Sequence, residues 1–230
     1  MPLDLLVFGP HPDDIEIGLG GTVARHTAEG YRVGLVDLTA GELSTNGSPA
    51  ERKREADEAA RTLGAWRENL GWPDGGIRNA PEFVRSAVET IRRHRPRAVA
   101  IPHWQDRHPD HVGASDVLTV AAFTSGLRRY ETGDEAWRPD WVCYYFINDS
   151  TPPSFVVDVS GYYERKRDAL RCYRSQFAAG GPDTAPTRLN APTFTTLVES
   201  RDAQFGALAG VAFAEGIVVK HPVLRPHLLP

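Results

Sequence analysis

Three short apolar runs constrain this chain more than any other feature. Leu5-Leu6-Val7-Phe8 ends at Gly9-Pro10, Val33 to Leu38 follows shortly after Gly30, and Ala98-Val99-Ala100-Ile101 stops at Pro102. Each run is continuous rather than alternating and is bounded by turn residues, the pattern of a strand buried on both faces of a sheet. Between them lie segments with helical punctuation. Residues 15–29 read as a helix closed by Gly30, Ser48 caps a charged helix from Pro49 to Leu63-Gly64, and Pro81 opens one that runs to Arg93. A short strand is expected at Glu68 to Leu70, further strands at Trp141 to Phe146 and Phe155 to Val159, and helices at Tyr162 to Phe177 and Thr195 to Leu208. The stretch from Ala178 to Pro192, rich in Gly, Pro, Thr and Asn, reads as a long surface loop. This alternation predicts an α/β domain spanning residues 1–230: a doubly wound, mainly parallel sheet with helices on both faces, in three α/β/α layers.

Composition narrows the possible partners. A hydrophobic fraction of 41% and a charged fraction of 24% are those of an ordinary globular chain. The net charge of −4, with both signs mixed along the sequence, offers no broad basic face, so nucleic acid is not an expected partner. No apolar run approaches the 18 residues or so of a membrane helix, and the first run lacks the basic flank of a signal peptide. A cytoplasmic protein without a membrane partner is expected. Cys143 and Cys172 fall in a strand-like and a helix-like segment without C-x-x-C spacing, and read as two separate buried thiols.

The doubly wound order sets the first strand beside the Ala98 strand, and ligands bind beyond the carboxyl ends of the strands at that reversal. Two histidine runs fall there: His11-Pro12-Asp13-Asp14 directly after the first strand, and Asp106-Arg107-His108-Pro109-Asp110-His111 just past the other. Imidazole and carboxylate donors suit zinc, and a catalytic zinc holds three protein ligands with one open position. The runs contain more donors than three, which leaves groups for acid-base chemistry. Alone, an H-P-D run is ordinary turn chemistry, with Asp13 or Asp14 a simple helix cap; two such runs at neighbouring strand ends weigh against that. His26 and His94 fall in helices and read as structural, while His103 lies near enough to approach the cleft. Gly18, Gly20 and Gly21 come too late after the strand for a dinucleotide fingerprint and read as packing glycines, although Asp37 ends the second strand as a ribose-binding acid would.

Further motifs accompany the histidine runs: L-T-A-G-E at Leu38 to Glu42, P-D-G-G at Pro73 to Gly76, Y-R-S-Q-F at Tyr173 to Phe177, R-x-x-x-F-G at Arg201 to Gly206 and A-E-G at Ala214 to Gly216. With them the sequence resembles the PIG-L/LmbE-like de-N-acetylases over nearly its whole length, and is most similar to the bacillithiol-pathway branch that deacetylates N-acetylglucosaminyl malate. The resemblance implies a Rossmann-like fold, one Zn2+ per subunit held by His11, Asp14 and His111, and Asp13 as the base that activates water. It implies that His108 supports the oxyanion, that Asp110 holds His108 protonated and aimed, and that Arg52 and Asp74 contact the sugar or its aglycone. It also implies a homo-oligomer, with a hexamer as one form, and an amino-sugar substrate. Phe194 stands where some relatives place a Tyr near the reacting carbonyl. Two alternatives stay open: a metal-dependent amidohydrolase of another N-acyl substrate, such as a chitooligosaccharide or an N-acyl amino acid, and a non-catalytic sugar-binding module braced by a closed four-ligand metal.

Overall fold

The computed structural model describes residues 2–178, 184–224 and 227. Its strands are β1 (Leu5–Gly9), β2 (Val33–Thr39), β3 (Trp66–Trp72), β4 (Ala98–Pro102), β5 (Trp141–Tyr145), β6 (Phe155–Asp158) and β7 (Ala214–Val218). The helices are α1 (Asp14–Ala28), α2 (Pro49–Leu63), α3 (Pro81–His94), α4 (Pro109–Thr124), α5 (Tyr163–Cys172), the single turn α6 (Arg174–Phe177) and α7 (Pro192–Ala209). All the strands join one sheet in the order β3-β2-β1-β4-β5-β7-β6. β1 pairs in parallel with both β2 and β4, β3 and β5 extend the parallel set, and β7 alone runs antiparallel to its neighbours. The strand order reverses between β1 and β4, as the apolar runs predict.

The continuous runs are buried on both faces because each alternate side chain meets a different core. Leu5 and Val7 pack with α1, α2 and α5, whereas Leu6 and Phe8 pack with α3 and α4. That two-sided burial is what drives the sheet into the middle layer. Local signals act where expected: Ser48 and Glu51 form a reciprocal capping box at the start of α2, and Gly64 closes it in the left-handed region. The packing glycines divide their work. Gly18 lies against the ring of Tyr145 on the sheet, Gly20 against Lys166 of α5 and Gly21 against Val159.

Three elements differ from the sequence reading. The Asp106–His111 run is no simple loop, since Pro109 is the first residue of α4 and His108 its cap. β7, unanticipated, inserts between β5 and β6. The expected helix from Tyr162 to Phe177 is broken at Tyr173, whose fully buried ring reaches Glu16 with its hydroxyl. Of the expected loop, residues 179–183 lie outside the described residues, and 184–191 are non-helical up to the start of α7. Cys143 and Cys172 are buried free thiols, and burial pushes the Cys143 thiol up to about 12.

α1 is interrupted at Leu19 (φ −133°, ψ 15°), which frees backbone N–H groups inside the protein. Glu215, central in the A-E-G motif, accepts those of Gly21 and Thr22 at 2.9 and 2.7 Å. Its charge is balanced by Lys166, whose Nζ lies 2.6 Å from both Glu215 and Asp202. Arg201 completes the balance, bonding Asp202 through Nε at 3.0 Å and donating to the carbonyls of Phe146, Ile147 and Ile17. Two cations and two carboxylates, all but Arg201 fully buried, therefore lock the broken helix onto β7 and α7.

Candidate metal centre and catalytic cleft

α1 and α4 begin immediately beyond the carboxyl ends of β1 and β4, so two helix N-termini, with their partial positive charge, face one cleft. The cleft has a volume of about 500 Å³, and His11, Asp13, Asp14, Asp74, His108 and His111 line it. His11 Nδ1 is 3.0 Å from Asp14 Oδ2, and His111 Nε2 is 3.2 Å from the same oxygen. Ligands about 2.0–2.2 Å from a tetrahedral zinc lie roughly 3.3 Å from one another, so this donor spacing fits such an ion.

The outward nitrogen of each imidazole carries a carboxylate, the arrangement that fixes ring orientation at metal sites. His111 Nδ1 is 3.0 Å from Asp106 Oδ1. His11 Nε2 is 3.1 Å from Asp74 Oδ1 and 3.3 Å from Asp110 Oδ2. Burial opposes protonation of both rings, yet the surrounding carboxylates outweigh it, holding His11 well above its usual range and lifting His111 to about 9.

Asp13 is set apart from the ligand atoms. Its backbone lies at φ 116°, a conformation that costs a non-glycine residue about 1–3 kcal/mol. Its carboxylate does not cap α1 as an aspartate at that position ordinarily does. Instead Oδ2 accepts from Arg52 Nη2 at 2.9 Å. Burial raises the Asp13 carboxyl, Arg52 opposes it and Asp14 adds to it, giving about 7.

Several expected roles are redistributed. The Asp110 carboxylate does not touch His108: it faces His11 and accepts from the amides of Gly75 and Ile77 at 2.7 and 3.2 Å. What His108 receives is the backbone N–H of Asp110, on Nδ1 at 3.2 Å. Burial and the neighbouring His111 and His11 lower its pKa, and because Nδ1 accepts that N–H, Nε2 is the nitrogen left to donate. Arg52, expected to contact substrate, lines the cleft and is largely buried there, with Nη2 on Asp13 and on the Pro12 carbonyl and Nη1 on Ser44 Oγ. Asp74 gives Oδ1 to His11 and Oδ2 to the Leu43 amide. The P-D-G-G turn carrying it reaches His11 because α4 passes it closely at Gly113, where any Cβ would strike the Ile77 carbonyl.

Residues outside the expected set also belong here. Asp106, within the quoted D-R-H-P-D-H run, holds His111, and is itself bonded by Asn148 through N at 2.9 Å and Nδ2 at 3.0 Å. Ser44, Gln176, Arg107 and Arg188 line the cleft. The other candidates stand aside. His103 is buried on Trp104 and Phe146, His26 bonds the Thr22 carbonyl, His94 pairs with Glu68, and Asp37 is taken by a two-point pairing with Arg67. Phe194 is buried under the Arg188 guanidinium, which lies 5.5 Å above its ring.

Fold and site together define a doubly wound α/β protein with a His/Asp/His metal-type centre at the strand reversal. The family model for PIG-L, the GlcNAc-PI de-N-acetylases, matches residues 6–122, and the chain belongs to that family. It is 30% identical to the diacetylchitobiose deacetylase of Thermococcus kodakarensis, over 93% of this chain and 81% of that protein. It is 29% identical to a 1D-myo-inositol 2-acetamido-2-deoxy-alpha-D-glucopyranoside deacetylase of Saccharopolyspora erythraea, over 80% and 87%. Among solved structures it resembles the conserved protein TT1542 from Thermus thermophilus, with a TM-score of 0.90, 40% identity and 99% of each chain covered.

Proposed function

We propose that this protein is a zinc-dependent de-N-acetylase that hydrolyses the acetamide of an N-acetylglucosaminyl substrate. The observation that carries this reading is the convergence of His11 Nδ1 and His111 Nε2 on Asp14 Oδ2, with the unligated carboxylate of Asp13 beside them in one cleft. His11, Asp14 and His111 would hold the zinc, which when bound would supply an acidified water and an electrophile for the amide oxygen. Asp13, unligated and beside the triad in the cleft, would accept the proton released as that water attacks and pass it to the departing amine. His108 donates a hydrogen bond from Nε2 to the oxygen of the tetrahedral intermediate.

Within that class we assign N-acetylglucosaminyl malate as the substrate. Two guanidinium groups support an anionic aglycone. Among the described residues, Arg107 lines the cleft and makes no ion pair, and the polar and ring contacts of Arg188 are the Asn148 side chain, at 3.4 Å, and the Phe194 ring. Inositol and chitobiose glycosides present no charge to such groups. The likeness to a diacetylchitobiose deacetylase favours the second reading, a chitooligosaccharide. The test is acetate release from N-acetylglucosaminyl malate, the inositol glycoside, diacetylchitobiose and N-acetylglucosamine, by zinc-loaded and chelator-treated protein. Zinc-dependent release greatest for the malate glycoside is expected. A preference for diacetylchitobiose overturns the malate assignment, and no release from any substrate by zinc-loaded protein overturns the deacetylase reading. The proposal includes a homo-oligomer, which light scattering showing only monomer would contradict.

A further inference from the structure

Arg188 reaches the cleft from a turn that is closed on itself. Asn190 Oδ1 accepts the Thr187 amide at 2.8 Å, the Asn190 amide donates to Thr187 Oγ1 at 3.3 Å, and Asn190 Nδ2 donates to the Ala185 carbonyl at 2.9 Å. Leu189 packs onto the core that contains Phe194, while Arg188 itself is exposed, its guanidinium over the Phe194 ring and 3.4 Å from Asn148 Oδ1. A hydrogen bond that long is a weak hold on a flexible side chain. Where the guanidinium sits therefore follows from where the turn sits.

The turn is tied to the loop between β2 and α2 by one side chain. The Asn46 carboxamide meets the backbone of Ala185 with both its ends: Nδ2 donates to the carbonyl at 2.8 Å and Oδ1 accepts the amide at 3.0 Å. A carboxamide carries donor and acceptor in one plane, so it pairs with a residue's N–H and C=O as a neighbouring strand would. Asn46 is held from behind by Ser175 and Gln176 of the Y-R-S-Q-F motif. Its carbonyl accepts Gln176 Nε2 at 2.7 Å, and Gly47, at φ 76°, lies so near Ser175 that a Cβ would overlap the hydroxyl. Ser175 is fixed to α2 in turn, donating to Glu55 through N at 2.8 Å and Oγ at 2.6 Å. A chain of contacts thus runs from α2 through α6 and Asn46 to the turn that carries Arg188.

We propose that Asn46 is a positioning residue for specificity: it latches the Arg188 turn to the β2–α2 loop and so places the guanidinium to receive an anionic aglycone. The specificity half rests on the reading of Arg188 as an aglycone contact; the latch does not. Trypsin tests the latch without any substrate. Cleavage after Arg188 requires the turn to open, and its rate follows the population of the open form. Asn46→Ala removes both hydrogen bonds and should speed the Arg188–Leu189 cut, followed by mass spectrometry, about tenfold. An unchanged rate overturns the latch whatever the protein hydrolyses. Should Asn46→Ala fail to fold, Asn46→Asp carries the test. It keeps the acceptor for the Ala185 amide but sets an oxygen against the carbonyl, and should speed the cut several-fold.

Deacetylation of N-acetylglucosaminyl malate and of uncharged N-acetylglucosamine tests the specificity half. Asn46→Ala should raise KM for the malate glycoside about tenfold, the scale of one hydrogen bond to a charged group, with kcat little changed. Both constants for N-acetylglucosamine should stay where they are. An equal loss on the two substrates marks general damage to the cleft and overturns the specificity role. Arg188→Gln separates the remaining failures. If it raises KM for the malate glycoside and Asn46→Ala does not, the latch does not place the guanidinium. If neither variant does, Arg188 is no aglycone contact and the specificity half falls with that reading, while the rate of the tryptic cut still decides the latch.

Discussion

Asp13 and Asp14 are neighbours with the same side chain and different proposed tasks, and the difference lies in what each carboxylate meets. Asp14 faces two imidazoles, which outweigh its burial and hold its pKa well below the carboxylate range. Burial pushes Asp13 up against one opposing guanidinium, with the charge of Asp14 adding to the rise, to about 7. Asp13→Asn should therefore keep zinc, by metal analysis, while turnover falls about 10²–10⁴-fold. Asp14→Ala and His111→Ala should lose metal first. An empty Asp13 variant beside a full Asp14 variant would reverse this division of labour. Asp106→Asn should weaken zinc affinity by about 10–100-fold through the orientation of His111, measured by competition with a chelating dye. The sequence displayed Asp106 inside a quoted run but not its job, since an aspartate two residues before a histidine reads equally as a turn residue. Only the folded chain separates Asp106 on His111 from Asp110 on His11. Asp110, expected on His108, instead has its carboxylate beside His11 and the Gly75 and Ile77 amides, which belong to a turn remote in sequence.

At the scale of elements, what was legible is what local physics decides. β1, β2 and β4 announce themselves as unbroken apolar runs, and α2 by its capping box, because each signal lies within a few residues of the element. β7 carries Glu215 as its second residue, one that argues against a buried strand until Lys166 and the Gly21 and Thr22 amides are seen around it. α4 was hidden by its own chemistry: H-P-D-H draws attention as a ligand run, although Pro109 is also an ordinary first helical residue. The same buried cluster makes a stability prediction. Replacing Lys166 by Met leaves Asp202 and Glu215 buried with one cation fewer, and breaking such a pair costs about 3–5 kcal/mol. Urea unfolding should show a correspondingly lower midpoint with an unchanged slope. A midpoint within the error of wild type would mean that water or a relaxed helix replaces the lysine.

For the whole molecule, the decisive fact is that the proposed ligands of the centre come from both sides of the strand reversal. His11 and Asp14 follow β1 and His111 follows β4, about a hundred residues later, so the site exists only when these strands are paired. An unfolded chain offers no such triad, and a cation that binds it favours the folded state by mass action. At free zinc 100 times the dissociation constant the gain is about 2.7 kcal/mol, which for a chain of this size raises the melting temperature by roughly 5–10 °C. Scanning calorimetry of chelator-treated protein, with and without added zinc, measures it directly. Asp14→Ala under the same conditions should show almost no rise, which separates binding at this centre from general salt effects and from adventitious histidines elsewhere. A rise of equal size in wild type and variant would place the stabilising ion at another site, and would leave His11, Asp14 and His111 as a hydrogen-bonded cluster without a resident metal.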